Sequence, residues 1–298
     1  MNAAPETLFT RLAPALFVVL WSTGFIGAKF GLPYCEPLTF LWLRYASVTV
    51  LLGLVIFVQR IPLPRSPRMW LHIGVSGVLL HGVYIGGVFF AISRGMPAGI
   101  SSLIVGVQPL LTAALAGPLL GERLSRRQLA GFVLGFLGLA LVVSKSFTRG
   151  ELPAAGLVTC TAALFAITLG TLYQKRHVAG VDIRAGSFVQ FLATAVPCFL
   201  LAQVLETGVV DWHPRFVFAL AWLCLVLSLG AISILWTLIK RGAASKVASL
   251  FYLVPPVTAL EGFLLFGESL LPLQLVGMAV TAFGVALINR AAADGASR

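Results

Sequence analysis

The sequence predicts an all-α integral membrane protein in which ten transmembrane helices form two inverted five-helix repeats. Composition, ten apolar stretches and an internal repeat support this prediction. Of 298 residues, 59% are hydrophobic and 10% are charged, with a mean hydropathy of +0.98, whereas a soluble domain has about 25% charged residues. Only a bilayer could cover so much apolar surface.

Ten apolar stretches have lengths near the ~20 residues that a transmembrane helix needs. The first lacks the basic segment, short apolar core and small-residue cleavage site of a signal peptide, so we expect it to be retained as a helix. No stretch remains for a soluble domain. In chain order, the predicted spans are Leu12–Gly31, Pro37–Val58, Met69–Ile92, Pro97–Leu120, Gln128–Phe147, Leu152–Tyr173, Ala185–Leu205, Phe216–Leu238, Ser245–Phe266 and Leu271–Asn289.

A segment of the first half recurs in the second half. Arg94, Ser102, Val107 and Pro109 align without gaps with Arg241, Ser249, Val254 and Pro256, and after a one-residue slip Gly121-Glu122 aligns with Gly267-Glu268. The repeat predicts two related halves, 1–150 and 151–298, each with five spans. An odd number of spans inserts the copies in opposite senses. This arrangement is typical of transporters whose substrate site lies at the midplane between the halves.

The charged residues predict topology and not nucleic-acid binding. The formal net charge is +11, but lysine and arginine occur in short clusters between apolar stretches and concentrate in loops on the side of the N-terminus. The positive-inside rule therefore predicts that both termini are cytoplasmic. Four cysteines lie singly, without metal-ligand spacing, and they are Cys35, Cys160, Cys198 and Cys224. We expect neither a metal nor a cofactor.

Prolines near the middle of the fourth and ninth spans are candidate hinge residues. They are Pro109 in the fourth span, and Pro255 and Pro256 in the ninth. Proline removes a backbone donor and clashes with the carbonyl four residues earlier, which bends a helix. Backbone groups freed at membrane depth are tolerated where they meet protein or a water-filled cavity. The alternative is that the prolines only shape the helices to fit their neighbours.

The third span carries a polar stripe on one helix face, with His81 near the centre of the bilayer and Tyr84 one turn further on. An ionisable group at this depth is costly and indicates a polar cavity. Both rings are candidate substrate-binding groups. A buried core histidine with satisfied hydrogen bonds is the alternative.

Other polar or aromatic residues at membrane depth are candidates for the same site. Trp21 lies too deep for an interfacial aromatic belt, and Gln108 stands beside Pro109. Arg44 could hold a carboxylate, or its long side chain could extend to the outer interface. The remaining candidates are Ser22, Tyr45 and Tyr252.

Two residues are candidates for coupling transport to protons. Glu261 is the one carboxylate that falls inside a predicted span, where it either anchors hydrogen bonds or binds a proton. His81 is the second candidate, because an unperturbed imidazole titrates near neutral pH.

These features together resemble the EamA-type ten-helix members of the drug/metabolite transporter superfamily. The resemblance rests on prolines in the fourth and ninth spans, the Gly-Glu pairs that follow them, the glycine-striped fifth and tenth spans, and the segment Trp21–Phe25 with Lys29. Overall likeness is to the YddG-like exporters of aromatic and other amino acids. The resemblance implies that helices one to four and six to nine enclose a cavity while five and ten pack at its periphery.

The expected function is a secondary transporter that exports amino acids across a bacterial inner membrane by alternating access. Efflux of lipophilic cations or other small metabolites is the alternative. No H-E-x-x-H or G-x-S-x-G motif is present, so an enzyme is not expected. The expected partners are a small amphipathic substrate and membrane lipids, and a monomer suffices because the duplication supplies both halves.

Overall fold

The computed structural model describes residues 8–120, 126–148, 152–231, 234, 250–268 and 271–296. Within these ranges the chain is helical apart from short connections and an isolated antiparallel bridge between Cys35 and Val210. The repeated Glu122, and the second-copy residues Arg241 and Ser249, lie outside the described residues. The division between residues 150 and 151 also falls there, so the boundary of the two halves stays a prediction.

The described residues form ten helices, which follow one another in the order that the sequence predicts. Four of them change geometry along their length: α3, α4, α8 and α9. The bounds are α1 Leu8–Gly31; α2 Pro37–Gln59; α3 Pro67–Gly77, a π-helical segment Val78–Val83 and Tyr84–Ser93; α4 Ala98–Gly106 and Gln108–Leu120; α5 Arg126–Thr148; α6 Ala154–His177; α7 Ile183–Leu205; α8 Pro214–Ala221 and a π-helical segment Trp222–Ala231; α9 a 3-10 turn Phe251–Leu253 and Val254–Phe266; and α10 Pro272–Ala296.

Length and hydropathy support a membrane location for this bundle. Within the described part of the chain, six helices are long and apolar enough to cross a bilayer, namely α1, α2, α3, α6, α7 and α8. The apolar segments of the other four are shorter, at Ala98–Thr112, Leu129–Val142, Val254–Phe266 and Pro272–Leu287. Side chains such as Phe57, Val204 and Leu264 are largely exposed on the outer surface of the bundle, where lipid would cover them. The predicted all-α membrane fold is confirmed.

The packing of the helices is that of two copies related by a two-fold axis. Such an axis exchanges each helix of the first half with its counterpart five helices later. Accordingly α2 packs along α7, α4 along α9 and α5 along α10, while the contact of α3 with α6 is matched by that of α8 with α1.

Glycines bring α5 and α10 close together. A Cβ at Gly138 would lie 2.6 Å from the carbonyl oxygen of Gly277, and one at Gly284 would lie 2.6 Å from that of Gly131. Small residues let helix backbones approach in this way where lipid supplies no hydrophobic driving force.

The predicted bends in α4 and α9 are interruptions of the helix. The α-helix breaks at Val107 (φ −78°, ψ 0°), and in α9 the 3-10 turn Phe251–Leu253, with Leu253 at φ −84° and ψ −12°, interrupts α geometry. Pro109 and the pair Pro255-Pro256 lie in the first turn of the segment that follows. There proline costs little, because the first N–H groups of a helix have no partner within it. The two interruptions occupy positions of the repeat that differ by one residue, since Val107 aligns with Val254, which directly follows Leu253.

The π-helical segments of α3 and α8 are a feature that the sequence analysis did not predict. The displacement that carries Pro109 to Pro256 carries residues 78–83 to 225–230, inside the π-helical segment of α8. Short π-helical segments occur often at functional sites because they widen the helix and shift its side chains.

An ion pair joins three helices at the end of the bundle where α1 ends, which we call the Lys29 end. Lys29 Nζ lies 2.5 Å from Glu268 Oε1, and the N–H of Ala98 donates to the same oxygen over 3.0 Å. These contacts tie the end of α1, the start of α4 and the end of α9. The Lys29 side chain is 29% exposed and that of Glu268 11%, so the pair is partly shielded from solvent.

A second carboxylate caps α2 at the same end of the bundle. Glu206, directly after α7, accepts hydrogen bonds from the N–H groups of Leu38 and Thr39, both over 2.7 Å. A carboxylate at a helix N-terminus is favoured by the partial positive charge there. The two carboxylates thus join helices of both halves at the Lys29 end.

We predict that Glu268→Gln lowers the free energy of unfolding by about 1–3 kcal/mol, because it leaves Lys29 and the start of α4 without their charged acceptor. Denaturant titration of the protein in detergent measures this loss. Asp182→Asn is the matched control, since its ion pair with Arg184 lies in solvent. A loss for the control as large as that for Glu268→Gln would contradict the assignment.

Candidate functional site

A cavity of about 400 Å³ lies between the two halves of the bundle. Its walls come from α1 to α4 and from α6 to α9, and no described residue of α5 or α10 lines it. This distribution agrees with the arrangement that the family resemblance implies. The lining is mostly apolar and aromatic, with a few polar side chains, a composition typical of small-molecule sites.

The structure brings five of the sequence-predicted site residues into the cavity wall. They are Trp21, Arg44, His81, Tyr84 and Gln108. The side chain of Tyr252 is not described, but its neighbour Phe251 lines the cavity. The three candidate hinge prolines do not line it.

Ser22 and Tyr45 were predicted to bind substrate but are not in the cavity wall. The hydroxyl oxygen of Ser22 lies 2.8 Å from the carbonyl oxygen of Val18 and 3.4 Å from that of Val254, so it faces the interruption of α9. Tyr45 is fully buried, and its hydroxyl donates to the carbonyl of His81 over 2.8 Å. That bond fixes the backbone in the π-helical segment of α3. Both residues thus contact backbone carbonyls of cavity-forming helices without lining the cavity themselves.

Aromatic rings form two groups in the wall. Trp21 meets Phe251 edge to face, with ring centroids 5.3 Å apart. His81 stacks on Phe191 with centroids 4.4 Å apart and ring planes at 27°. The Nδ1 atom of His81 is buried and has no hydrogen-bond partner. Because this nitrogen is unsatisfied, His81 differs from a core histidine with satisfied hydrogen bonds.

Arg44 lies inside the protein and does not extend to the outer interface. The residue is 4% exposed and lines the cavity, and its Nη2 group donates over 3.3 Å to Ser228 Oγ, another lining residue. The hydroxyl of Ser228 in turn donates to the carbonyl of Leu223 over 2.9 Å. The Nε atom of Arg44 is buried without a hydrogen-bond partner.

Gln108 connects the two halves across the cavity. Its Nε2 group donates to Thr171 Oγ1 over 3.3 Å, and both residues line the cavity. Gln108 is the first residue after the interruption of α4. The amide is therefore positioned by the same backbone break that precedes Pro109.

Glu261 lies outside the cavity wall. Its Oε2 atom is buried in α9 without a hydrogen-bond partner. The structure thus does not place the two coupling candidates, His81 and Glu261, together on one cavity.

The sequence analysis missed several lining residues, and the internal repeat supplies the signal that could have identified some of them. The displacement from Pro109 to Pro256 carries Arg44 to Phe191 and His81 to Ser228, and all four line the cavity. Thr171 and Phe251 were also missed. Phe251 adjoins the candidate Tyr252 and could have been found from that neighbour.

Comparison with a family model covers almost the whole chain. The model of the EamA-like transporter family matches twice, at residues 11–144 and 154–290. The two matches correspond to α1–α5 and α6–α10.

Two relatives from bacteria match the chain over most of their lengths. The chain is 29% identical over 279 residues to a "Probable amino-acid metabolite efflux pump" of Salmonella typhimurium, covering 91% of each chain. It is 29% identical over 291 residues to a "Probable terminal-alkyne amino-acid exporter" of Streptantibioticus cattleyicolor, covering 93% of this chain and 92% of that protein.

The fold also matches that of a solved crystal structure. The TM-score is 0.67 at 20% sequence identity, over 93% of this chain and 94% of the other. At this identity the match concerns the fold alone. Because the family model matches both halves, the chain belongs to the EamA-like transporter family, whose members are membrane transporters and not enzymes.

Proposed function

We propose that the protein exports amino acids, aromatic and other neutral ones, across a bacterial inner membrane. The observation that carries this proposal is the cavity between the halves, in which aromatic rings lie beside a small number of polar groups. Its volume of about 400 Å³ lies within the range of about 300–1,000 Å³ that is usual for small-molecule sites. The names of the two relatives, an amino-acid metabolite efflux pump and an amino-acid exporter, support the same substrate class.

Transport by alternating access is the mechanism that the repeat favours. Two copies of similar energy can exchange their packings and so expose one cavity to each side in turn. The interruptions of α4 and α9 and the π-helical segments of α3 and α8 supply pairs of equivalent deformable points at cavity depth. We propose Pro109, Pro255 and Pro256 as the hinges.

The charge pattern of the loops orients the proposed cycle. With residues 1–150 and 151–298 as inverted halves and both termini cytoplasmic, the Lys29 end faces the periplasm. The ion pair of Lys29 with Glu268 would then hold the periplasmic end closed while the cavity loads from the cytoplasm.

Efflux of lipophilic cations is the second candidate function. The rings of Trp21, Tyr84 and Phe251 could bind a cation through their π faces. The buried positive charge of Arg44 in the same cavity opposes this reading, because like charges repel strongly where water does not screen them.

Counterflow in proteoliposomes tests the proposed function. Vesicles loaded with an unlabelled amino acid should take up the same labelled amino acid in a saturable manner, and phenylalanine and leucine should be among those accepted. Saturable transport of a lipophilic cation with no counterflow of any neutral amino acid would favour the second candidate.

We predict that Trp21→Ala weakens binding of phenylalanine by about 0.5–1.5 kcal/mol, the contribution of a specific aromatic pair. Binding of threonine should change less, because threonine has no ring. Trp42→Ala is the matched control, since Trp42 packs on Phe199 away from the cavity. Competition against a labelled amino acid measures the affinities. Equal losses for phenylalanine and threonine would indicate a folding defect and not a lost stacking contact.

We predict that Pro109→Ala and Pro256→Ala slow exchange more than they weaken equilibrium binding, because continuous helices resist the movement of one half against the other. Pro197→Ala is the control, since Pro197 lies inside α7, which has no break. Exchange rates and binding constants are compared for each variant. Weaker binding with unchanged exchange rates would refute the hinge role.

We propose His81 as the coupling residue in preference to Glu261, because only His81 lines the cavity. His81→Gln should abolish the effect of a pH gradient on net flux and leave substrate exchange running, since exchange moves no net proton. Glu261→Gln should retain the effect. The wild-type protein must first concentrate substrate under an imposed pH gradient. If neither direction of the pH gradient drives accumulation of substrate, proton coupling is excluded.

A further inference from the structure

Arg44 holds a buried charge for which the described chain offers no acidic partner. The residue is 4% exposed, and its side chain makes one hydrogen bond, to the neutral hydroxyl of Ser228. A guanidinium carries five N–H donors, and the buried Nε atom has no partner. Burying a cation without a counter-ion is costly. An anion that enters the cavity would remove this cost.

The carboxylates whose side chains the structure describes do not supply that anion. Glu268 pairs with Lys29, and Glu206 accepts from the start of α2. Glu36 accepts from Thr207, Asp182 pairs with Arg184, and Asp211 is exposed. Glu261 does not line the cavity. The expected partner of Arg44 is therefore a group on the transported molecule.

The repeat gives Arg44 and Ser228 a chemically different counterpart. In the first pair, Arg44 of α2 bonds to Ser228 of α8. The counterpart under the repeat is Phe191 of α7 stacked on His81 of α3. The first pair thus presents hydrogen-bond donors with a positive charge, and the equivalent pair presents stacked rings. This asymmetry fits a ligand with an anionic head and an apolar or aromatic body.

The described lining offers no matching group for an ammonium. No carboxylate is among the described residues that line the cavity, and the one fixed charge among them is the cation of Arg44. A zwitterion bound there leaves the cavity with a net positive charge, whereas a monocarboxylate neutralises it. The carboxylate, and not the amine, is the group that this wall can recognise by charge.

We propose that Arg44 anchors the carboxylate of the substrate and sets its specificity, so that the site takes aromatic and apolar monocarboxylates, including 2-oxo acids that lack an amine. This inference rests on the proposed function and names the chemical group on which that function selects. Arg44 can form two parallel hydrogen bonds to a carboxylate, a geometry that a lysine cannot reproduce.

Three ligands that share a phenyl ring separate the contributions of the two head groups. Phenylalanine carries both a carboxylate and an amine. Phenylpyruvate carries only the carboxylate, and phenethylamine carries only the amine. Inhibition of labelled phenylalanine counterflow is measured for each in proteoliposomes. Ligand-induced thermal stabilisation of the detergent-purified protein reports binding without transport. Phenylpyruvate should inhibit and stabilise at least as well as phenylalanine, and phenethylamine should do neither.

Variants of Arg44 test the residue itself. Arg44→Gln should weaken binding of phenylalanine and phenylpyruvate roughly thirtyfold or more, as expected when one partner of a buried charge pair is removed. Arg44→Lys should recover part of this loss. Arg94→Gln is the control, because it removes the same charge from an exposed residue that packs on Phe90.

The outcomes separate this inference from the proposed function. Stabilisation by phenylpyruvate that depends on Arg44, with no counterflow of any amino acid, would support the inference and reject amino-acid export. Counterflow of phenylalanine that phenethylamine inhibits and phenylpyruvate does not would support export and overturn the inference. If neither phenylalanine nor phenylpyruvate stabilises the protein or affects counterflow, both the inference and the proposed function are overturned. The three-ligand comparison uses the wild-type protein, so it decides even if Arg44→Gln fails to fold.

Discussion

Inside a bilayer every backbone N–H and C=O must find a partner within the protein, because lipid offers none. In the described part of the chain the helices depart from α geometry at four places, in α3, α4, α8 and α9, and each departure either contributes a residue to the cavity wall or directly precedes one. Leu80, Ser228 and Phe251 lie within departures, and Gln108 follows the one in α4. Irregular backbone is thus concentrated where it faces a cavity. The site and the deformable points of the fold are consequently the same segments.

Duplication explains the shape of the cavity, and divergence between the copies explains its chemistry. Helices of both halves enclose it in equivalent pairs, so the walls are symmetric in outline. Arg44 and Phe191 occupy equivalent positions, as do His81 and Ser228. A symmetric pair of backbones therefore carries an asymmetric set of side chains. Such a site distinguishes the two ends of an amphipathic molecule, which a perfectly symmetric site could not do.

Hydropathy was sufficient to predict the helices that the described residues form, because helix length in a bilayer is set by its thickness. Five residues chosen by depth and residue type, among them Trp21 and His81, lie in the cavity wall, and their role in binding stays a prediction. When every face of a helix is apolar, depth and residue type do not show toward which side of the helix a given side chain points. Tyr45 illustrates this limit, since it follows Arg44 in sequence but turns away from the cavity to bond the carbonyl of His81.

The π-helical segments could not be predicted, because no proline or glycine pattern is specific to them and they arise from packing between helices. Ser228 was missed for a different reason: a single serine in an apolar helix usually bonds its own backbone and gives no sign of a site. Applying the repeat to His81 would have pointed to Ser228.

The central claim is that one cavity between two exchanging halves is opened and closed at the Lys29 end. Its most direct test replaces Lys29 and Glu268 by cysteine (Lys29→Cys and Glu268→Cys) and joins them with a short, cleavable bis-thiol reagent in a background without the four native cysteines. Counterflow is measured before cross-linking, after it, and after cleavage of the link. The account predicts that cross-linking abolishes counterflow, that cleavage restores it, and that the locked protein still binds ligand from the opposite end. Undiminished counterflow in fully cross-linked protein would contradict it.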